Sequence, residues 1–290
     1  MVQLWSALAT RDASLMTQAL SGRETPANTG GAAYVRGHDD IGWAISDAQA
    51  EAAGLEGAAH RRFLNDFYSG RFPGSFARGA LFQENPRTGD ARISGTTASL
   101  CGLEQALTAG DEGIVEQAIR RLLLLHSVCL SYGAVPLLYM GDELGLHNDL
   151  SYLEEPVTAA DNRWMHRPRM DWVAAARRGD ASSVEARVFA SLRELIACRR
   201  SLPSLHASVP VRPLAANNRR IFAYARAHPR RGRFLGLVNF NDAPESCDAG
   251  VLAQAGLVEP RGALGPSGHF EVREGRIHLP GLGFAWLVER

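Results

Sequence analysis

The sequence predicts an α/β chain in two parts: an incomplete (β/α)8 barrel that carries a long insertion, and an antiparallel β domain after it. Three observations predict this. A helix, a loop and a short buried strand follow one another at the start, and the strand ends in charged residues. A second short apolar strand after a long helical stretch ends in acidic residues too. Beyond Pro203 the hydrophobic period changes from helical to alternating.

In order, Leu4, Ala7, Leu8, Leu15, Ala19 and Leu20 recur at helical spacing and predict one helix over Val2 to Leu20, ended by Ser21, Gly22 and a loop through Pro26 to Gly31. Ala32 to Val35 is a short apolar run of buried-strand type, followed by His38, Asp39 and Asp40. The carboxyl end of a barrel strand is where catalytic groups sit. Asp is also a common cap and turn residue, so the triplet alone admits both readings. From Ala44 to about Gly95 the chain does not read as one crossover helix: a helical piece with His60, Arg61, Phe63, Leu64, Phe67 and Tyr68 precedes turn-rich segments holding Phe72 and Phe82. An insertion of this length at a strand end builds a substrate pocket, and its rings and arginines suit the flat faces and hydroxyls of sugars. The same rings equally suit the core of a small subdomain.

Helical patterns over Thr97 to Leu107 and Glu112 to Ser131 place Ile114, Ala118, Leu122, Leu125 and Cys129 on one stripe. Ala134 to Met140 reads as a strand that ends at Gly141, Asp142 and Glu143, acidic residues suited to fixing the loop by hydrogen bonds. A polar, irregular loop follows over Leu144 to Met170, and a helix over Val184 to Arg200 buries Val188, Leu192, Leu195 and Ile196. Strands are expected over Arg220 to Arg226, Arg233 to Phe240, His269 to Val272, Arg276 to Leu279 and Phe284 to Glu289. The expected division is 1–43 for the first barrel piece, 44–95 for the inserted subdomain, 96–203 for the barrel continuation and 204–290 for a β-sandwich domain.

Composition excludes several functions. With net charge zero and a pI near 7.1, no global field favours nucleic acid or a membrane surface. All 31 basic residues are Arg and none is Lys, which reads as nucleotide-composition bias. The four cysteines are scattered and form no Cys-x-x-Cys pair, so no metal site or disulfide framework is expected. No signal peptide or membrane span is read, and a cytoplasmic location is the default.

Five segments in fixed order carry a resemblance: Tyr-Val-Arg-Gly-His-Asp-Asp-Ile-Gly-Trp at 34–43, Gly-Ser-Phe-Ala-Arg-Gly at 74–79, Asn-Pro-Arg-Thr-Gly-Asp-Ala-Arg at 85–92, Pro-Leu-Leu-Tyr-Met-Gly-Asp-Glu at 136–143 and Arg-Trp-Met-His-Arg-Pro-Arg at 163–169. Together they resemble the amylosucrases of the α-amylase clan of retaining glycoside hydrolases. The resemblance implies the C-terminal portion of such an enzyme: helix six, strand seven with its long insertion, strand eight with its helix, and the C-terminal β domain of the TIM barrel enzyme. It implies glucosyl transfer from sucrose to an α-1,4-glucan with release of fructose, by double displacement and without a cofactor or metal. Asp39 would be the transition-state-stabilising carboxylate and His38 would hold a hydroxyl of the same ring. Arg163 would close the glucosyl pocket, with an acidic partner in the absent front of the barrel. Asp40 and Arg92 would line the fructosyl or acceptor site, Arg61 a more distant glucan site, and Gln83 would join them.

The nucleophile and acid/base of the family lie on strands four and five, and nothing in this chain matches them. Before Asp39 the sequence offers only Asp12, expected in a helix, and Glu24, expected in a loop. The isolated chain is therefore expected to be inactive, to need the N-terminal half as partner, and to expose strand edges that favour aggregation. Glu84 stands where relatives carry an aromatic, and Gly37 where they carry Ser or Cys. The competing readings are a sucrose hydrolase of the same clan, a non-catalytic carbohydrate-binding remnant and a metal-dependent phosphohydrolase built on His38 and Asp39; the last lacks a second His/Asp cluster at ligand spacing.

Overall fold

A computed structural model describes residues 1–22, 29–265, 268 and 270–290. Helix α1 (Val2–Thr10) and helix α2 (Ser14–Leu20) replace the single helix expected over Val2 to Leu20. Arg11 takes a left-handed φ of 55° between them, and Asp12 Oδ1 accepts the Ser14 N–H at 2.9 Å to open α2. Asp12 thus lies in the break and not in a helix. Glu24, residues 26–28 of the Pro26 to Gly31 loop, and His269 at the start of an expected strand lie outside the described residues.

Strands β1 (Ala32–Ala33) and β2 (Ile41–Gly42) precede α3 (Asp47–Ala52) and α4 (Gly57–Tyr68). Ser46 and Gln49 form a reciprocal capping box that opens α3, and both carboxylate oxygens of Glu56 accept N–H groups at the start of α4. Next come β3 (Ala80–Phe82), β4 (Arg92–Ser94), α5 (Thr97–Leu100), α6 (Leu103–Ala109) and α7 (Glu112–Ser131). The helix expected over Thr97 to Leu107 is two helices, because Gly102 between them has φ 91° and a Cβ there would lie 2.9 Å from Phe76 Cβ. On α7 the expected stripe is buried from Ala118 onward. In the first turn Val115 is buried and Ile114 is 39% exposed.

The strand expected over Ala134 to Met140 is only β5 (Val135–Pro136). It pairs in parallel with β1, Ala32 opposite Val135, in a sheet of two strands. Along this stretch Val135, Leu137, Leu138 and Met140 are 40% to 56% exposed. Helices α8 (Trp172–Arg177) and α9 (Val184–Ser201) follow, then β6 (Val211–Leu214), β7 (Ile221–His228), β8 (Gly232–Asn239), β9 (Glu245–Asp248), α10 (Gly250–Ala255), β10 (Pro260–Gly262), β11 (Glu271–Arg273), β12 (Arg276–Leu279) and β13 (Phe284–Glu289).

The chain forms two compact units. One comprises Met1–Val2, Val35–Leu122 and Leu138–Ala190; the other Gln3–Tyr34, Leu123–Leu137 and Ser191–Arg290. In the second, a five-stranded antiparallel sheet runs β10-β13-β8-β7-β6 and a three-stranded one β11-β12-β9. Alternate residues Ile221, Ala223, Ala225, Leu235, Leu237, Ala285 and Leu287 form one core with Cys247 and Ile277 of the smaller sheet and Val251 of α10. Phe222, Tyr224, Phe234 and Trp286 alternate with them and are buried too, with Tyr132 5.4 Å from the Tyr224 ring. Tyr224 lies over Gly236 of β8, where a Cβ would come within 2.2 Å of the ring. Pro213 fits β6 because β6 is an edge strand. In the first unit, β2, β4 and β3 form an antiparallel sheet in that order, and this sheet carries the pocket.

Candidate substrate pocket

The loop that follows Val35 is anchored by buried polar groups. Arg36, 2% exposed, donates from Nε to Asp142 Oδ1 at 2.8 Å and from Nη1 to the His166 carbonyl at 2.7 Å, and its guanidinium stacks 4.3 Å from the centre of the Tyr139 ring. Asp142 Oδ2 accepts the Thr97 hydroxyl at 2.9 Å. Asp142 and Glu143 thus fix the loop, Glu143 by accepting the Gly141 N–H at 2.8 Å. The imidazole of His166 accepts the Gly95 N–H at Nδ1 (3.1 Å), and its Nε2 lies 3.0 Å from the His38 carbonyl, which also accepts Arg167 Nε at 2.7 Å.

Asp39 emerges at the end of this anchored loop, its side chain 61% exposed. Its Oδ1 lies 3.6 Å from Arg163 Nη1 and 3.5 Å from Arg167 Nη2, and its Oδ2 lies 3.4 Å from His38 Nε2. Arg163 grips Asp161 with a fork, Nε to Oδ1 at 2.9 Å and Nη2 to Oδ2 at 2.7 Å, and stands over the Phe82 ring at 4.8 Å. That fork holds the Asp161 carboxyl below its ordinary range. Within this chain Arg163 thus pairs with a carboxylate two residues upstream.

Asp39, Asp40, Arg61, Gln83, Arg92 and Arg163 line one pocket of about 1040 Å³; His38 does not line it. Local structure explains the grouping. Strand β2 starts directly after Asp40 and sets Gly42 opposite Arg92 of β4, which brings Arg92 Nη1 within 3.4 Å of Asp40 Oδ2. Gln83 ends β3 in a left-handed turn, φ 50°. Arg61 reaches from α4 to the Ile45 carbonyl at 3.0 Å, Asp47 at 2.8 Å and Asp90 at 3.6 Å. Within the 85–92 motif, Asn85 Oδ1 accepts the Arg87 N–H at 2.9 Å, the Asn85 N–H donates to the Asp90 carbonyl at 2.7 Å, and this closed turn presents Asp90 to the pocket.

Of the rings in the insertion, Phe63, Phe67 and Phe72 pack on one another, 5.0 to 6.2 Å apart, with Phe67 buried and Phe72 41% exposed. The aromatic residue on the pocket wall is Trp43, whose indole N–H donates to Asn65 Oδ1 at 2.7 Å. Trp43, Ser46, Gln49, Asn85 and Asp90 are lining residues that the sequence reading did not assign. Arg36, His166 and Arg167 are supports that it did not assign. The signal for most of them was their place inside the five motifs.

Chemically the wall alternates carboxylates with guanidinium groups. Such a wall suits a neutral polyhydroxylated ligand, with carboxylates accepting from hydroxyls and guanidiniums donating to them. Among the described residues no group of three or more His, Cys, Asp or Glu is placed to hold a metal ion, and no helix is long and apolar enough to cross a membrane.

No family model matches the chain. Among solved structures, sucrose 6F-phosphate phosphorylase from Thermoanaerobacter thermosaccharolyticum is similar over 82% of this chain and 42% of its own, at 13% identity and a TM-score of 0.57. Amy13B of Eubacterium rectale matches 68% of this chain and 37% of its own (13% identity, TM-score 0.45), and the Nostoc punctiforme debranching enzyme 60% and 30% (16%, 0.43). This chain therefore spans less than half the length of each. The neighbours are α-amylase-family enzymes, and at these identities the fold is what the phosphorylase match establishes: a mixed α/β chain, similar to part of that enzyme.

Proposed function

We propose that this chain is the substrate-contacting portion of an amylosucrase-like glucosyltransferase, acting with an N-terminal half of the barrel that supplies nucleophile and acid/base. The observation that supports it best is that Asp39, Asp40, Arg61, Gln83, Arg92 and Arg163, drawn from separate parts of the sequence, line a single pocket. The exposed apolar run at Val135, Leu137, Leu138 and Met140 is consistent with further strands flanking β1 and β5.

In this reading a carboxylate of the other half displaces fructose from sucrose, and the glucosyl-enzyme is attacked by the 4-hydroxyl of a glucan. Asp39 accepts hydrogen bonds from hydroxyls of the glucosyl ring. Those bonds strengthen as positive charge develops at the anomeric carbon, so they favour the transition state over bound substrate. Arg163 and Arg167 hold the carboxylate in place.

The test is fructose release from sucrose, and maltotriose binding by calorimetry, for the 290-residue chain and its Asp39→Ala variant. The expected result is no turnover, with weak binding that Asp39→Ala reduces by about tenfold or more. Turnover that Asp39→Ala abolishes would show that the chain contains its own nucleophile. Absence of maltotriose and sucrose binding would sink the pocket assignment.

A further inference from the structure

We propose that His166 and Arg167 are positioning residues: together they grip the His38 carbonyl and thereby set the direction of the Asp39 carboxylate. The inference rests on the reading of Asp39 as a sugar-contacting group. The His38 and Asp39 side chains are 71% and 61% exposed, so side-chain packing does not fix this turn. Its backbone is held instead by two donors on one oxygen, His166 Nε2 at 3.0 Å and Arg167 Nε at 2.7 Å.

The imidazole is buried, 1% exposed, and is tied on its far side to the Gly95 N–H at the end of β4. It therefore bridges the strand that carries Arg92 to the loop that carries Asp39. Only the neutral ring with its proton on Nε2 makes both bonds, because Nδ1 must accept from Gly95 while Nε2 donates to His38. The surroundings favour that form: burial disfavours the imidazolium more strongly than the His38 carbonyl favours it, and the Arg36 and Arg167 charges add to burial against the weaker pull of Asp40. Arg167 adds a second measurement of the same geometry, since Nη2 lies 3.5 Å from Asp39 Oδ1 while Nε holds the carbonyl one residue earlier.

The experiment compares His166→Asn, His166→Gln and Arg167→Lys in the full chain by NMR of the Asp39 amide and 13Cγ resonances, with maltotriose titration beside it. Asn keeps an acceptor toward Gly95 and loses the donor to His38; Gln keeps a donor at the Nε2 position. The expected result is that Asn moves the Asp39 resonances and weakens maltotriose binding about tenfold, while Gln restores both to within about twofold of the parent. Long-range 1H–15N correlations of the parent His166 should show the Nε2-protonated tautomer. Asn and Gln variants that behave alike, or Asp39 resonances unmoved by His166→Asn, would overturn the proposal. Should His166→Asn not fold, Arg167→Lys decides it, because Lys cannot hold carbonyl and carboxylate together; unmoved Asp39 resonances there would overturn it as well. If the parent chain binds no maltotriose, the sugar reading of Asp39 fails, and the Asp39 resonances still decide the positioning claim.

Discussion

In the unit that carries the pocket, the loop from Arg36 to Asp39 takes its shape from Asp142, His166 and Arg167, polar partners about a hundred or more residues away. In the unit that holds the C-terminal strands, Ile221, Leu235, Leu237, Ile277 and Leu287 reach a common core through simple alternation along neighbouring strands. Polar anchoring is directional: each bond fixes an angle as well as a distance, and losing one partner strands the other in a dry interior. Apolar anchoring is forgiving of direction and sensitive to volume. A pocket that must aim a carboxylate draws on the first kind, and a supporting sheet draws on the second.

The comparison can be broken most severely at Arg36. Arg36→Ala would leave the buried Asp142 carboxylate without its cation, and a loss of about 3 to 5 kcal/mol is expected in denaturant unfolding. Hydrogen exchange should rise around residues 95–97, 142 and 166, with protection in β7, β8 and β13 retained. Equal loss of protection in both units would contradict the division of labour.

Acid provides the next test. Burial, reinforced by Arg36 and Arg167, lowers His166 from 6.5 to about 4, and burial likewise lowers His60 and His147, all in the pocket-bearing unit. A folded-state value below the unfolded one means that the neutral ring is favoured by folding. The His166 contribution is then complete above pH 6.5 and is lost as the pH falls toward 4, a difference of roughly 3 kcal/mol. The lowered groups of the other unit include the carboxylates Asp12, Glu245 and Glu289, whose contributions are lost only on descending through the carboxylate range. A pH series of exchange-detected stabilities should show the pocket-bearing unit weakening first.

The smallest effect probes volume. Gly236→Ala would push a methyl into the Tyr224 ring and disturb its 2.5 Å hydrogen bond with Ser131. A cost of about 1 to 3 kcal/mol is expected, without a change in the Asp39 resonances. A shift of those resonances would show that the two modes of anchoring are coupled.

The same contrast governs what can be read in the sequence. β12 and β13 span Arg276 to Leu279 and Phe284 to Glu289, as expected: burial alternates along β12, and β13 is a short apolar run buried from Phe284 to Val288. The break at Arg11 escaped notice because helical periodicity runs straight across it. β6, β9, β10, α8 and α10 were not read from the sequence, although β6 and β9 are as long as β12. Of the lining residues, Asp39, Asp40, Arg92 and Arg163 were legible through motifs, whose spacing is preserved even where no period exists, while Arg61 and Gln83 lie outside the five segments. The pairing of Arg36 with Asp142, and of His166 with His38, was not legible, since nothing local encodes a partner across 106 or 128 residues.

Gln83 carries a different consequence. A non-glycine residue at φ 50° holds the chain in a conformation that its own Cβ opposes, at a cost on the order of 1 kcal/mol. Glycine there would relax the turn and remove the amide that faces the pocket. In the proposed reading robustness and recognition are thus opposed at one position, and selection for thermal tolerance alone would tend to erode the rim of the pocket before it touched the core.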